Sequence, residues 1–111
     1  MTRGDQGYTL LARPPDAMFA TVADDGAVAV TAWSFVRVRG TRDTWHMVGT
    51  RRGAPWVSSE VVAFDPGVAR TSQGRAYKTT GPSADPTPAM IAVLHASLRA
   101  WRVPCTELVD Q

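Results

Sequence analysis

The chain has 111 residues, 44% of them apolar and 20% charged, with a formal net charge of +2. A chain of this length folds as one domain and buries roughly 65% of its unfolded surface, enough for a core without a metal or a disulfide, and the composition excludes disordered, fibrous and membrane-spanning classes. The single cysteine, Cys105, has no partner and no spaced zinc ligands, which excludes a disulfide scaffold and points to a reducing, cytosolic setting.

The first 17 residues hold no apolar run of signal-peptide length, and nothing approaches a membrane span, so a soluble cytoplasmic protein is expected. "YTLLA" and "AMFATVA" read as short strands separated by Pro14-Pro15, which cannot donate to a ladder. Asp24-Asp25-Gly26 is a hairpin signal, because glycine supplies the positive φ of the turn.

Residues 27–39, "AVAVTAWSFVRVR", alternate with period two, the strongest strand signal in the chain. Unbroken alternation places Val28, Val30, Ala32, Ser34, Val36 and Val38 on one face and Trp33, Phe35, Arg37 and Arg39 on the other. "GTRD" turns the chain into "TWHMVGT", which sets Trp45 and Met47 beside Val36 and Val38, and His46 with Phe35 and Arg37. "RRGAPW", residues 51–56, has no periodicity and reads as a loop because of Gly53 and Pro55.

"VSSEVVAFD" alternates again, Asp65-Pro66-Gly67 is a type II turn, and Gln73-Gly74 reads as a two-residue hairpin, giving three consecutive antiparallel strands over residues 57–80. A helix is expected over residues 85–103, with Asp85 or Thr87 capping ahead of Pro86 or Pro88, an apolar stripe of Met90, Ile91, Leu94, Leu98 and Trp101, and Pro104 ending it. The whole, residues 1–111, is then a single α+β domain: a β meander over 1–84, the helix, and a tail over 104–111. The expected architecture is a small, strongly bent antiparallel sheet or an SH3-like, partly open barrel with one C-terminal helix.

Charge is unevenly placed. Residues 37–78 hold eight cations against three acids, while the flanking segments are slightly acidic. Such a patch attracts phosphates or acidic protein surfaces. Candidate partner-binding residues are Arg51, Arg52 and Trp56 on one expected loop tip, Arg37 and Arg39 at a strand end, and Arg70, Arg75 and Lys78 on the later hairpin. Arginine beside an aromatic residue is the composition of recognition hot spots, and Trp33 or Phe35 with the strand arginines suits sheet-based nucleic-acid binding. The competing structural readings are that Trp56 folds back to plug the barrel end and that both faces of residues 27–39 are packed.

Catalytic chemistry finds little support. His46 and His95 come from separate elements with no nucleophile nearby in sequence, and the grouping of Cys105, His95 and Asp110 reads better as packing of a small thiol at a helix end. His95, Arg99 and Arg102 share a helix face that reads as the wet side of an amphipathic helix, with a phosphate-contacting face as the alternative. No metal or cofactor ligand set is present in the sequence. "GRAYKTTG" has Tyr77 where a phosphate loop needs glycine before its Lys-Thr pair, and the helix begins too late to present its N–H groups there.

The stretch "WHMVGTRRGAPWVSSEVVAFDPGVARTSQGRAYKTTGP", residues 45–82, resembles a pattern in small uncharacterised bacterial and phage-type proteins. Gly49, Ser58-Ser59, Val61-Val62, Thr71, Gly74, Tyr77 and Gly81-Pro82 carry the likeness. Ser58 stands where threonine is usual, and the polar loop lacks its common acidic residue. The resemblance implies a small accessory protein carried by phage or mobile elements, such as an inhibitor of the anti-CRISPR or anti-defence kind, and assigns no catalytic residue. The expected function is therefore a non-enzymatic binding protein that docks onto a protein partner, with nucleic-acid binding as the alternative and homodimerisation through an edge strand open.

Overall fold

The computed structural model describes residues 8–23, 26–39 and 42–100. In chain order these form β1 (Tyr8–Leu10), a 3₁₀ turn at Asp16–Met18, β2 (Val28–Val38), β3 (Thr44–Arg51), β4 (Ala54–Val57), β5 (Val61–Asp65), β6 (Val68–Thr71), β7 (Ala76–Thr80) and α1 (Pro88–Ala100). Strands β2, β3, β5, β6 and β7 close a barrel, while β1 and β4 extend the free edges of β2 and β3. The fold is α+β, a small barrel with one C-terminal helix.

The expected all-antiparallel sheet fails at one seam, where β2 and β7 pair in parallel from Val28↔Tyr77 to Thr31↔Thr80. Parity is the cause. Five barrel strands that each reverse the last leave the first and fifth running the same way, so closure requires one parallel pair. Stepping across paired residues from Arg37 through Trp45, Val61 and Thr71 to Arg75 returns to β2 about ten residues upstream, a steep stagger that makes the barrel narrow and filled by side chains.

The alternation expected along β2 breaks in its middle. Thr31 opposes Thr50 and Ser34 opposes Val48, so Ala32 and Trp33 together face the single residue Gly49. This is a β-bulge, with Ala32 in the left-handed region at φ 49°. It flips the faces: Val28 and Val30 share the barrel interior with Trp33 and Phe35, whereas Ala32, Val36 and Val38 turn outward under the helix. The register also corrects the β3 expectation, since Phe35 pairs with Met47 and Val36 with His46. Both faces of β2 are consequently packed.

Two cores result. Val30, Phe35, Met47, Val61, Phe64, Ala69 and Tyr77 fill the barrel, and Tyr8, Val36, Val38, Val48, Met90, Leu94 and Leu98 form the layer between sheet and helix. Helix α1 starts at Pro88, later than expected, because Thr87 is the cap: its Oγ1 accepts from the Met90 N–H at 3.2 Å and its carbonyl from Ile91. The buried stripe is Met90, Leu94 and Leu98. Trp101, Arg102, Cys105, Asp110 and the segment 104–111 lie outside the described residues, as do Asp24-Asp25 and Gly40-Thr41 of the expected turns.

Three local expectations also change. "AMFATVA" makes the 3₁₀ turn and one isolated bridge, Phe19↔Phe64, instead of a strand. Residues 57–63 do not form one strand; Val57 ends β4, Ser58 and Glu60 form a corner, and β5 starts at Val61 with its own bulge before Ala63. The hairpin before β7 has three loop residues, Ser72 to Gly74, because Gly74 takes the left-handed position after a turn closed by its N–H to the Thr71 carbonyl. Pro66-Gly67 turns β5 into β6 as expected, with Gly67 at φ 98°.

Candidate functional site

The segment read as an arginine loop is a tight hairpin. Arg51 pairs with Ala54, and the two residues between them, Arg52 and Gly53, both have positive φ, at 55° and 78°. This is the signature of a type I′ turn, whose twist matches that of the strands it joins. Pro55 is tolerated because β4 lies at the sheet edge. Arg52 is exposed at the tip, while Arg51 is half-buried with its Nε enclosed and lacking a hydrogen-bond partner.

Trp56 does not project from this tip. It sits opposite Gly49, packs on the barrel core and lies 4.5 Å from the Tyr77 ring centroid. The plug reading therefore holds, and Trp33 is likewise half-buried, its Nε1–H donating to the Gly81 carbonyl at 2.9 Å. Both tryptophans are packed against the barrel core and neither stands free at the hairpin tip.

The Trp56–Tyr77 contact joins two hairpins at one end of the barrel. Because Thr50 is level with Thr31 and Tyr77 with Val28, the β3–β4 tip and the β6–β7 loop both reach the end where β2 begins. Arg51, Arg52 and Arg75 rim that end. Arg70 and Lys78 stand exposed on the adjoining outer wall, diagonal neighbours in the β6–β7 ladder, where Arg70 opposes Ala76 and Val68 opposes Lys78. Among the described residues, none of these five cations pairs with a carboxylate.

Arg37 and Arg39 belong elsewhere, at the far end of β2. Arg37 Nε lies 3.7 Å from Asp43 Oδ2, and Arg39 donates to Thr9 Oγ1 at 2.7 Å. Arg42, near them in sequence, makes a forked bond to Glu60 at 2.6 and 2.9 Å. The eight candidate residues thus divide into a cluster at one barrel end and a pair bound into structure at the other.

The histidines are also engaged. His46 is buried, with Thr44 Oγ1 2.9 Å from Nε2 and the Ser58 carbonyl 3.1 Å from Nδ1. Burial pushes its pKa below the ordinary histidine value, against the weaker raising effects of Ser58 and Glu60. His95 Nε2 lies 2.8 Å from the Tyr8 hydroxyl, whose pKa burial raises, with the two rings edge to face at 5.5 Å.

One site escapes the sequence. Residues 32–35 of β2 lie between its pairing with β7, which stops at Thr31, and with β1, which starts at Val36. The chain before and after the barrel lines this gap, with Ala12 N–H donating to the Phe35 carbonyl and Ala84 N–H to that of Trp33. Between them opens a cleft of about 450 Å³. Phe19, Phe35, Phe64 and Trp33 line it in successive edge-to-face contacts of 4.9 to 5.9 Å. Its remaining wall includes Leu11, Arg13, Ser34 and Asp85. No local motif announces it, because its two sides are some seventy residues apart in sequence.

No protein-family model matches the chain, and neither the curated proteins nor the solved structures contain a match.

Proposed function

We propose that the chain is a non-enzymatic binding module on an SH3-like barrel that docks onto an acidic macromolecule, in the first place a protein, through the arginine-rimmed barrel end. One observation carries this reading: Arg51, Arg52, Arg70, Arg75 and Lys78 gather on two hairpins and one wall without a carboxylate partner, while Arg13, Arg37 and Arg42 each have one. Arginine forks left unpaired suit bidentate capture of carboxylate or phosphate. The engagement of His46 and His95 in structural hydrogen bonds supports a non-enzymatic role.

The packing of Trp33 and Trp56 against the barrel core favours a protein over single-stranded nucleic acid, which needs stacking platforms. Duplex DNA or RNA, held through phosphates alone, is the second reading, favoured by the same unpaired cations. The resemblance over residues 45–82 and the small size suit an intracellular inhibitor or regulator of phage or mobile-element origin, for which docking without catalysis is sufficient. Among the described residues no helix is long and apolar enough to cross a membrane.

The decisive variant carries Arg51→Glu, Arg52→Glu and Arg75→Glu together. All three sit at the barrel rim, so the fold should persist and capture of an acidic partner should fall by at least about 100-fold, as loss of several hot-spot cations requires. Undiminished capture by a folded triple variant would remove this surface from consideration.

A further inference from the structure

The aromatic cleft beside β2 carries an inference that goes beyond the docking role and does not rest on it, since none of the five clustered cations lines it. We propose that the cleft is a binding site for a small aromatic amine, a flat apolar body with a protonated amino group at the mouth. Its volume, about 450 Å³, lies within the range of small-ligand pockets and exceeds what one inserted side chain fills. The lining is that of such pockets: four aromatic rings, apolar Leu11, Ala12, Pro14 and Ala84, and few polar groups.

The charged groups at the mouth define the polar end of the ligand. Ser34 borders the cleft, but it is only 3% exposed and its hydroxyl is fully enclosed, so it offers a ligand no hydrogen bond. At the mouth two charges differ in availability. Arg13 is paired with Asp16 at 3.1 Å and stacked on the Phe19 ring at 5.3 Å. Asp85 is exposed and has no cationic partner among the described residues. The unmatched charge at the mouth is negative, so the complementary ligand group is an amine.

The mouth is also apolar where solvent meets it. Leu11 is 55% exposed and Phe19 37% exposed, two of the few large apolar side chains left uncovered among the described residues. A bound aromatic body covers both. Leu11 has a left-handed backbone, φ 56°, immediately after the end of β1.

Tryptamine, neutral tryptophol and anionic indole-3-acetate are suitable probes, followed by proton–nitrogen NMR of the full chain. Tryptamine should shift the Trp33 indole N–H and the amides of residues 11–14, 33–35 and 83–85 saturably, with a Kd of order 0.1–1 mM, as suits a ligand of about a dozen heavy atoms. Tryptophol should bind about fivefold more weakly and indole-3-acetate more weakly still. Asp85→Asn should remove the advantage of tryptamine over tryptophol, and Ala84→Trp should fill the cleft and abolish binding. Should Ala84→Trp fail to fold, Leu11→Lys places a like charge at an exposed position and should weaken tryptamine about fivefold while leaving tryptophol nearly unchanged. Absence of saturable shifts at about 5 mM tryptamine, shifts confined to other surfaces, or equal binding of all three probes would each overturn the proposal.

Discussion

At the scale of single residues, Gly49 decides the shape of the barrel wall. A β-carbon there would lie 2.6 Å from Val30 Cγ1, 2.9 Å from the Thr31 carbonyl oxygen and 3.2 Å from Trp33 Cα, so two of its three neighbours are backbone and cannot rotate aside. Its glycine identity is a demand of close approach, because the β2 bulge closes on this position. Gly49→Ala should destabilise the fold by about 3 kcal/mol, the scale of overpacking against rigid atoms, and a urea titration with an unchanged midpoint would refute that role. His46 acts through charge. Burial holds its pKa below the ordinary value, so the folded protein keeps the ring neutral where the unfolded chain takes up a proton. Its contribution is full above the unfolded value of about 6.5 and is lost as pH falls below it. Between about pH 8 and pH 5 the native protein should lose stability more steeply than His46→Gln, and parallel pH profiles would exclude buried neutral His46 as a cause.

Elements show a conflict between stability and function at the β3–β4 turn. A type I′ turn prefers Asn-Gly, yet its first position holds Arg52 at φ 55°, a left-handed conformation that costs an arginine about 1 kcal/mol relative to residues suited to it. Arg52→Asn should therefore raise the unfolding free energy by about 0.5–1 kcal/mol while weakening capture of an acidic partner. Calorimetry and a binding titration on the same variant test both halves; a less stable or an equally strong binder would contradict the assignment. This element also shows what the sequence makes legible. Gly67 and Gly74 were readable as turns because their chemistry is local, and a capped helix start near Asp85 or Thr87 for the same reason, although which of the two caps was not. The bulges near Ala32 and Val62 were not, because each is chosen by a partner strand: Gly49 opposite Ala32-Trp33, and Arg70-Thr71 opposite residues 61–63. The arginines could be listed from sequence, but their sorting into a rim cluster and a paired set needed the register. The cleft was illegible, since its walls meet only after the barrel closes.

For the whole molecule, a net charge of +2 gives little long-range steering, so attraction must come from the local field of the clustered cations. At physiological ionic strength that field extends about 8 Å, enough for neighbouring arginines to act together on one docked surface but too short to reach the paired arginines at the far end of β2. This sets a bound on any phosphate-mediated binding. Five available cations can neutralise at most about five phosphates, and on duplex DNA each contributes about −0.9 to the slope of log affinity against log salt, so the slope should not be steeper than about −4.5. An acidic protein partner gives a different result, a shallower and curved dependence carried mainly by the association rate, because fewer condensed ions are released and apolar contacts persist. Measuring both curves for the native chain and for the variant with glutamate at positions 51, 52 and 75 separates the readings. A linear slope near −4 on duplex that drops by about three units in the variant establishes phosphate docking at this end. A native slope on duplex near zero, with salt-sensitive capture of an acidic protein that the variant loses, establishes the protein surface instead. Salt dependence that is unchanged by the three substitutions in both titrations removes the barrel rim as the docking site.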